Sequence, residues 1–360
     1  MLPGKINMIL DAAWGSSGKG KLAAYLAHSF KVTDASCCNM PNAGHTVVEN
    51  GKSTVFKMLP AGCVAKAGRC IWLGASSVID TDRLQEELVA LDQFDQTGQW
   101  QSLYIHGRAA IWRPEYKQVE QESKSLSQIA STAQGCSTAI IRKIERHEDA
   151  IRGDQMIPPR IWTDKVRKRL SGSCMWLHEV SQGWALSLNW GTHYPQCTSR
   201  DCTTTQALND IGVPPSFLGD VYLNVRTYPI RVGNTSTGYS GDFLEDQEEL
   251  SWEEIAKRSG LPLETLKKTE MTTVTKRQRR VASYSPTLTR EAAWQNGATK
   301  IFINFIEYLD GNLVGKRGDK ISELSKPARI FVEAVQEDCN IPVVGVGTGA
   351  ETNDVIWWGT

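Results

Sequence analysis

Short apolar runs alternate along this chain with stretches whose apolar residues recur every three or four positions. Residues 6–10, INMIL, form a short apolar run that stops at a glycine-rich turn, and residues 19–29 then carry a helical pattern. The N-terminus therefore reads strand, loop, helix. Further runs at 54–59, 70–73, 103–106, 174–178, 222–225, 300–304 and 342–346 predict buried strands. Helical patterns fall between them at 82–91, 115–127, 139–147, 164–170, 288–296 and 321–337, and Ser251 with Glu254 forms a capping box that opens another short helix. Strands alternating with helices predict an α/β fold: a single domain over residues 1–360, its large twisted, mainly parallel sheet flanked by helices. "MIPPR" and "GVPPS" mark loops, and no internal repeat or low-complexity segment divides the chain.

Charge changes the picture by what it removes. Forty basic and forty acidic residues cancel, so no global field draws the protein to nucleic acid or anionic lipid, and neither is expected as a partner. Any anion must be held locally. No apolar run reaches the ~18 residues of a membrane span. Nine cysteines show no CxxC pair, and Cys37 and Cys38 are adjacent. Reduced thiols in a cytoplasm suit that pattern better than a disulfide framework. The 12 tryptophans are scattered rather than arrayed for base stacking.

The candidate chemistry lies in the loops. "DAAWGSSGKGK", residues 11–21, places Gly15, Gly18, Gly20 and Lys19 between a strand and a helix. Glycines free backbone N–H groups to face a phosphate, and the helix behind presents its positive end. The loop misses the P-loop pattern twice, with Ala13 for a glycine and Gly20 where a Ser or Thr would follow the lysine. A tight turn is the plain alternative. "PNAGHT" brings Asn42, His45 and Thr46 together, either as a surface turn or as a histidine placed to donate to a departing phosphate oxygen. "ASTAQGCST" is a hydroxyl-rich loop before a basic helix, and "HEVSQG" places Gln182 just past a strand, at the edge where α/β sheets bind ligands. "TTVTKRQRR" packs four cations into nine residues. Without a wider basic surface, that run suits a small polyanion better than nucleic acid. "NFIEYLD" and "GVGTGAET" each end a strand candidate and are placed to frame a base.

Taken in order, "WGSSGKGK", "NAGHT", the Ser/Thr loop, "SQG", "GTHYP", "YPIRVGN", "TKRQRR", "NFIEYLD" and "GTGAET" resemble the sequential layout of the adenylosuccinate synthetases, a fold related to the P-loop NTPases. The resemblance runs from about residue 6 to the C-terminus. Those enzymes usually carry WGDEGKGK in the first loop. Ser16 in place of its aspartate is similar to the bacteriophage branch, which makes N6-succino-2-amino-2'-deoxyadenylate from dGMP and L-aspartate on the way to diaminopurine DNA. The resemblance implies a ligase that forms a carbon–nitrogen bond in two steps. The γ-phosphoryl of a triphosphate moves to O6 of the purine, and aspartate's amine then displaces phosphate from C6. Two alternatives stay open: an ordinary adenylosuccinate synthetase using IMP and GTP, and a catalytically inactive nucleotide-binding regulator.

The resemblance also implies roles. Ser16, Lys19, His45 and Gln182 are the expected catalytic residues, with His45 as acid on the β–γ side and Gln182 holding O6. Ser17, Gly18, Lys19, Gly20, Lys21, Gly44, His45, Thr46, Arg279, Asn304, Phe305, Glu307, Gly347 and Gly349 are expected around the triphosphate. Ser16, Asn42, Ser131, Thr132, Arg146, Gln182, Thr198 and Arg277 are expected around dGMP. Val274, Thr275, Arg277 and Arg279 are expected around aspartate, where the guanidinium fork suits carboxylates. Mg²⁺ is the implied cofactor, with the carbonyl of Gly44 and the Ser16 position beside it. Arg146 matches an arginine that crosses from a second subunit, which implies a homodimer. Lys276 stands where the family's loop has a glycine, which shifts the register by up to about one residue.

Two departures bear on specificity. The family's loop aspartate takes the N1 proton of IMP and helps ligate Mg²⁺. A 2-amino purine needs more room beside N1, and Ser16 is smaller and neutral. Phe305 and Glu307 replace the Lys and Asp by which the family selects GTP. Loss of the lysine donor and gain of an aromatic ring point to ATP or dATP, while the Glu307 carboxylate retains a feature that suits guanine.

Overall fold

The computed structural model describes residues 1–65, 70–92, 94, 102–151, 157–272 and 276–359. Among these, nine strands form the main sheet, in the order Val355–Trp357, Val343–Gly347, Lys300–Asn304, Leu218–Arg226, Ile6–Asp11, Trp176–Glu179, Asp34–Cys37, Cys70–Leu73, Ser102–Ile105. Every neighbouring pair is parallel except the antiparallel edge pair at the C-terminal end. The α/β expectation holds.

The central strand shows why the sheet is buried on both faces. Ile6, Met8 and Leu10 enter one core with Trp162, Ala292 and Val332, while Ile9 enters the other with Leu22, Ala23 and Leu26. Successive side chains on a strand point to opposite faces, so a continuous apolar run needs helices on both sides. The helix Lys19–Ser29 supplies one layer; the helices Pro159–Leu170, Pro286–Asn296 and Lys326–Cys339 supply the other.

Several predicted elements move. The run at 54–59 is not a strand of the main sheet. It becomes Lys52–Phe56, paired antiparallel with His45–Glu49. Asn50 and Gly51 between them both have positive φ, the two-residue turn that fixes a hairpin. The helix predicted at 115–127 is two, Pro114–Glu122 and Lys124–Gln128, because Ser123 leaves helical geometry and its hydroxyl caps the N–H of Leu126. The helix predicted from 321 starts at Lys326, with Pro327 in its first turn and a separate short turn at Ile321–Glu323. The strand Asp34–Cys37 and the helices Thr204–Ile211 and Leu263–Thr269 lacked a clear signal. The Ser251–Glu254 capping box forms as expected.

Candidate active site

Parallel strands end on one edge, so the loops behind Ile6–Asp11, Trp176–Glu179 and Lys300–Asn304 converge there. They enclose a cavity of about 600 Å³. Its lining includes Ser16, Ser17, Gly18, Lys19, Gly20, Lys21, Asn42, Gly44, His45, Thr46, Thr132, Gln182, Arg279, Asn304, Phe305, Glu307 and Gly349. Loops far apart in sequence thus share one space.

Gly18, at φ 82, turns the chain into the helix Lys19–Ser29 and leaves that helix without a side-chain N-cap. No side chain therefore takes the first-turn N–H groups, which suits an anion. A Cβ on Gly20 would sit 2.8 Å from the carbonyl oxygen of Thr46, so only glycine lets the helix approach the hairpin. Lys19 Nζ donates to the Gln182 carbonyl at 2.6 Å and lies 3.6 Å from Asp11 Oδ2. Three non-glycine residues of the cavity adopt left-handed backbone: Ser16 at φ 52, Gln182 at φ 65 and Phe305 at φ 62. Such strain persists only where surrounding contacts impose it.

Those contacts come from residues the sequence did not single out. Arg226, fully buried, donates to the Ser16 carbonyl at 2.7 Å and to Glu270 at 2.5 Å, with its guanidinium 3.9 Å from the centre of the Phe305 ring. Glu270 also accepts from Tyr308 at 2.5 Å and Arg279 at 3.1 Å. Burial would push the Glu270 carboxyl up, but the two arginines and Tyr308 outweigh it and hold it below the usual range. One buried charge network therefore clamps the phosphate loop, the arginine loop and the base-framing turn together.

Glu179 is the second omission. His45 Nδ1 lies 2.9 Å from Glu179 Oε1, at ion-pair distance but not aligned as a hydrogen bond, while Glu179 Oε2 accepts from the Ala61 N–H at 2.7 Å. Burial opposes charge on Glu179; His45, the Ala61 N–H and the charge on Lys19 prevail and keep its carboxyl low. A carboxylate behind a histidine ring fixes the ring's orientation and which nitrogen faces away from it. "HEVSQG" carried the signal, three residues before Gln182.

The second loop lysine lines the cavity and is also bonded to the protein itself. Lys21 Nζ donates to the carbonyls of Gly349 and Asp354, at 2.7 and 2.6 Å, so its hydrogen bonds tie the loop to the C-terminal turn. Burial lowers it to about 8, against the attraction of Glu307 and Asp354. Glu307 is pushed up to about 7 by burial, with Lys21 opposing. Asn304 donates to the Gly18 carbonyl at 3.2 Å and to Asn224 Oδ1 at 3.0 Å, and Asn224 in turn holds Ser17 Oγ at 2.7 Å.

Five expected residues stand outside the cavity lining. Gly347 is a spacer: a Cβ there would meet Asn304 Oδ1 and approach Lys21 Nζ at 2.8 Å. Ser131 Oγ caps its own loop at the Ala133 N–H. Thr198 is tied by its N–H to the Leu186 carbonyl. Arg277 bonds the carbonyls of Gly233 and Ala130 at 3.0 and 3.1 Å, bridging the arginine loop to the Ser/Thr loop. Arg146 is exposed, past the C-terminal end of Cys136–Ile144. Val274 and Thr275 lie outside the described residues. Lys276 has φ 53, the conformation for which glycine is the natural occupant, which accounts for a glycine at the matching place in the family.

The sequence profile of the adenylosuccinate synthetases matches residues 8–176 and 166–313. The chain belongs to that family. It is 34% identical over 360 residues to the N6-succino-2-amino-2'-deoxyadenylate synthase of Vibrio phage phiVC8, covering 97% of each chain. It is 31% identical over 354 residues to the adenylosuccinate synthetase of Archaeoglobus fulgidus, again covering 97% of each. The solved succinoaminodeoxyadenylate synthetase of cyanophage S-2L, bound to dGMP and to dATP as an energy donor, superposes with TM-score 0.82 at 31% identity, covering 100% of this chain and 97% of that one. Family membership makes the protein a ligase forming carbon–nitrogen bonds, and its fold is that of the synthetases. No helix among the described residues is long and apolar enough to cross a membrane.

The family's Mg²⁺ fits this cavity in a particular way. No group of three or more His, Cys, Asp or Glu side chains that could hold a metal occurs among the described residues. Mg²⁺ is commonly held by one or two protein oxygens, water and substrate phosphates. Ser16 and Gly44, hard oxygen donors lining the phosphate end, match that need.

Proposed function

We propose that this protein joins L-aspartate to C6 of dGMP with ATP or dATP as phosphoryl donor, giving N6-succino-2-amino-2'-deoxyadenylate, the nucleoside diphosphate and phosphate. Ser16 carries this reading. It lines the cavity with an exposed side chain, while Arg226 holds its carbonyl in place, so a small neutral group stands where the family's carboxylate would crowd a 2-amino substituent. The likeness to phage relatives over nearly the whole chain supports it.

In the first step the purine's N1 proton passes to water as O6 attacks the γ-phosphorus and the diphosphate leaves. In the second, the amine of aspartate attacks C6, phosphate departs with its bonding electrons, and the amine loses a proton. Lys19 and the helix N–H groups neutralise the phosphoryl oxygens. His45, backed by Glu179, donates on the β–γ side. Gln182 orients O6, and Arg279, which lines the cavity, takes a carboxylate beside a loop that Arg277 braces against the Ser/Thr loop. Mg²⁺, when bound, neutralises charge on the transferring phosphates. Phe305, with Arg226 over its ring, offers a stacking surface for the donor's base.

A homodimer completes the site in this reading. Arg146 is exposed rather than turned into its own cavity, and Ile141 and Ile144 on the helix before it are 52% and 67% exposed. An apolar face beside an outward arginine fits a partner subunit. The ordinary reaction of IMP with GTP is the second reading, favoured by the Glu307 carboxylate in the cavity. Product formation from dGMP and from IMP, each with ATP and GTP, separates them. Turnover with dGMP and an adenine triphosphate is expected; turnover with IMP alone refutes the proposal.

A further inference from the structure

Asp11 ends the strand Ile6–Asp11, five residues before Ser16, and is 1% exposed. Its Oδ1 accepts from the Ala13 N–H at 2.8 Å. Its Oδ2 has no hydrogen-bond partner and sits 3.6 Å from Lys19 Nζ. A buried carboxylate oxygen without a hydrogen bond is costly, so its presence needs a compensating interaction. Lys19 is itself only 5% exposed, and Asp11 is its one ion-pair partner among the described residues. The nearest loop positions that could balance it, Ser16 and Ser17, are neutral. Glu179 feels the Lys19 charge, but its oxygens face His45 and Ala61, and it forms no ion pair with Lys19. Asp11 does not line the cavity, so it adds no bulk beside the purine.

We propose that Asp11 is the positioning carboxylate of this phosphate loop, holding the Lys19 ammonium aimed at the triphosphate from beneath the loop. The Lys19 charge is balanced from position 11, while the space beside Ser16 stays open. Asp11 acts through Lys19 and touches no substrate. This rests on Lys19 gripping the triphosphate, and the experiment separates the two.

Asp11→Asn keeps the Oδ1 acceptor for Ala13 and removes only the charge. Binding of a non-hydrolysable ATP analogue to the full chain is measured by calorimetry, with KM for dGMP and the melting temperature alongside. Loss of one partner of a buried charge pair should weaken analogue binding at least about tenfold. The dGMP KM and the melting temperature should stay near those of the parent, and Asp11→Glu should recover part of the loss. In a Lys19→Gln background, Asp11→Asn should add nothing, because one group acts through the other. Parental binding by Asp11→Asn, effects that multiply in the double variant, or a joint fall of both substrates and melting temperature overturns the proposal. Parental binding by Lys19→Gln instead removes the triphosphate assignment on which it stands.

Discussion

Replacing Glu179 by Gln removes the charge behind His45 with little change of shape. At 2.9 Å a His45 carrying the proton it donates would attract Glu179 by about 6 kcal/mol before desolvation, taking an effective dielectric of about 20. Both groups are buried, at 7% and 1% exposure, so much of that gross figure offsets their lost hydration. A net loss of about 3 kcal/mol in the placement of His45 as the acid corresponds to roughly 100-fold in rate, the lower end of what a positioned acid contributes. The amide introduced by Glu179→Gln can still accept from the Ala61 N–H, but it turns a donor toward His45 and favours the wrong tautomer. Single-turnover release of phosphate from ATP, dependent on dGMP and aspartate, reads the step directly. ATP-analogue affinity should hold within about threefold, since Glu179 is not a cavity-lining residue. Single-turnover rates within about threefold of the parent would refute the role given to the pair.

Ser16→Asp should cost about 100-fold in dGMP turnover while sparing triphosphate binding, because a carboxylate drawn to the metal fills the space of the amino group. Aspartate tolerates the φ of 52 at this position, so backbone strain does not confound the result; parental dGMP kinetics would refute the steric account. Glu307 is raised by burial to about 7, so between about 4.5 and 7 the folded chain holds a proton that the unfolded chain releases, and stability falls as pH rises through that window. Glu307→Gln should flatten that slope in melting temperature, and an unchanged slope counts against a buried, protonatable Glu307. Mixing inactive Arg146→Ala with inactive Lys19→Gln should restore activity through mixed dimers holding one intact site. Failure to complement despite subunit exchange would place Arg146 outside its neighbour's site.

The parts legible in the sequence were those whose chemistry is contiguous. Glycines, a lysine and a strand-to-helix change within one short stretch announce a phosphate loop wherever the rest of the chain goes. Gln182 and the 304–307 turn were readable because they follow strand signals at the sheet edge. Arg226 and Glu270 were not: they stand 44 residues apart, each a single charge, and only the fold shows that they share a buried contact. Glu179 was hidden by its setting, since a charged residue ending an apolar strand reads as a boundary. The hairpin at 45–56 was misread because the apolar run at 54–59 was weighed without the Asn50–Gly51 turn before it.

Lys21 gives the protein an order of assembly. Its ammonium is bonded to carbonyls 328 and 333 residues downstream. At about 5–20 residues per second of synthesis, a nascent chain waits roughly 15 to 65 seconds between making this lysine and making its acceptors. Until then the first helix can pack its apolar face and its loop can bond Gln182, Asn224, Arg226 and Asn304, but the tie through Lys21 is missing. A chain stalled before residue 349 therefore displays a glycine loop that lacks this last fastening. Lys21 and the turn at residues 349–354 meet beside the loop, so this fastening reports that translation has reached that turn.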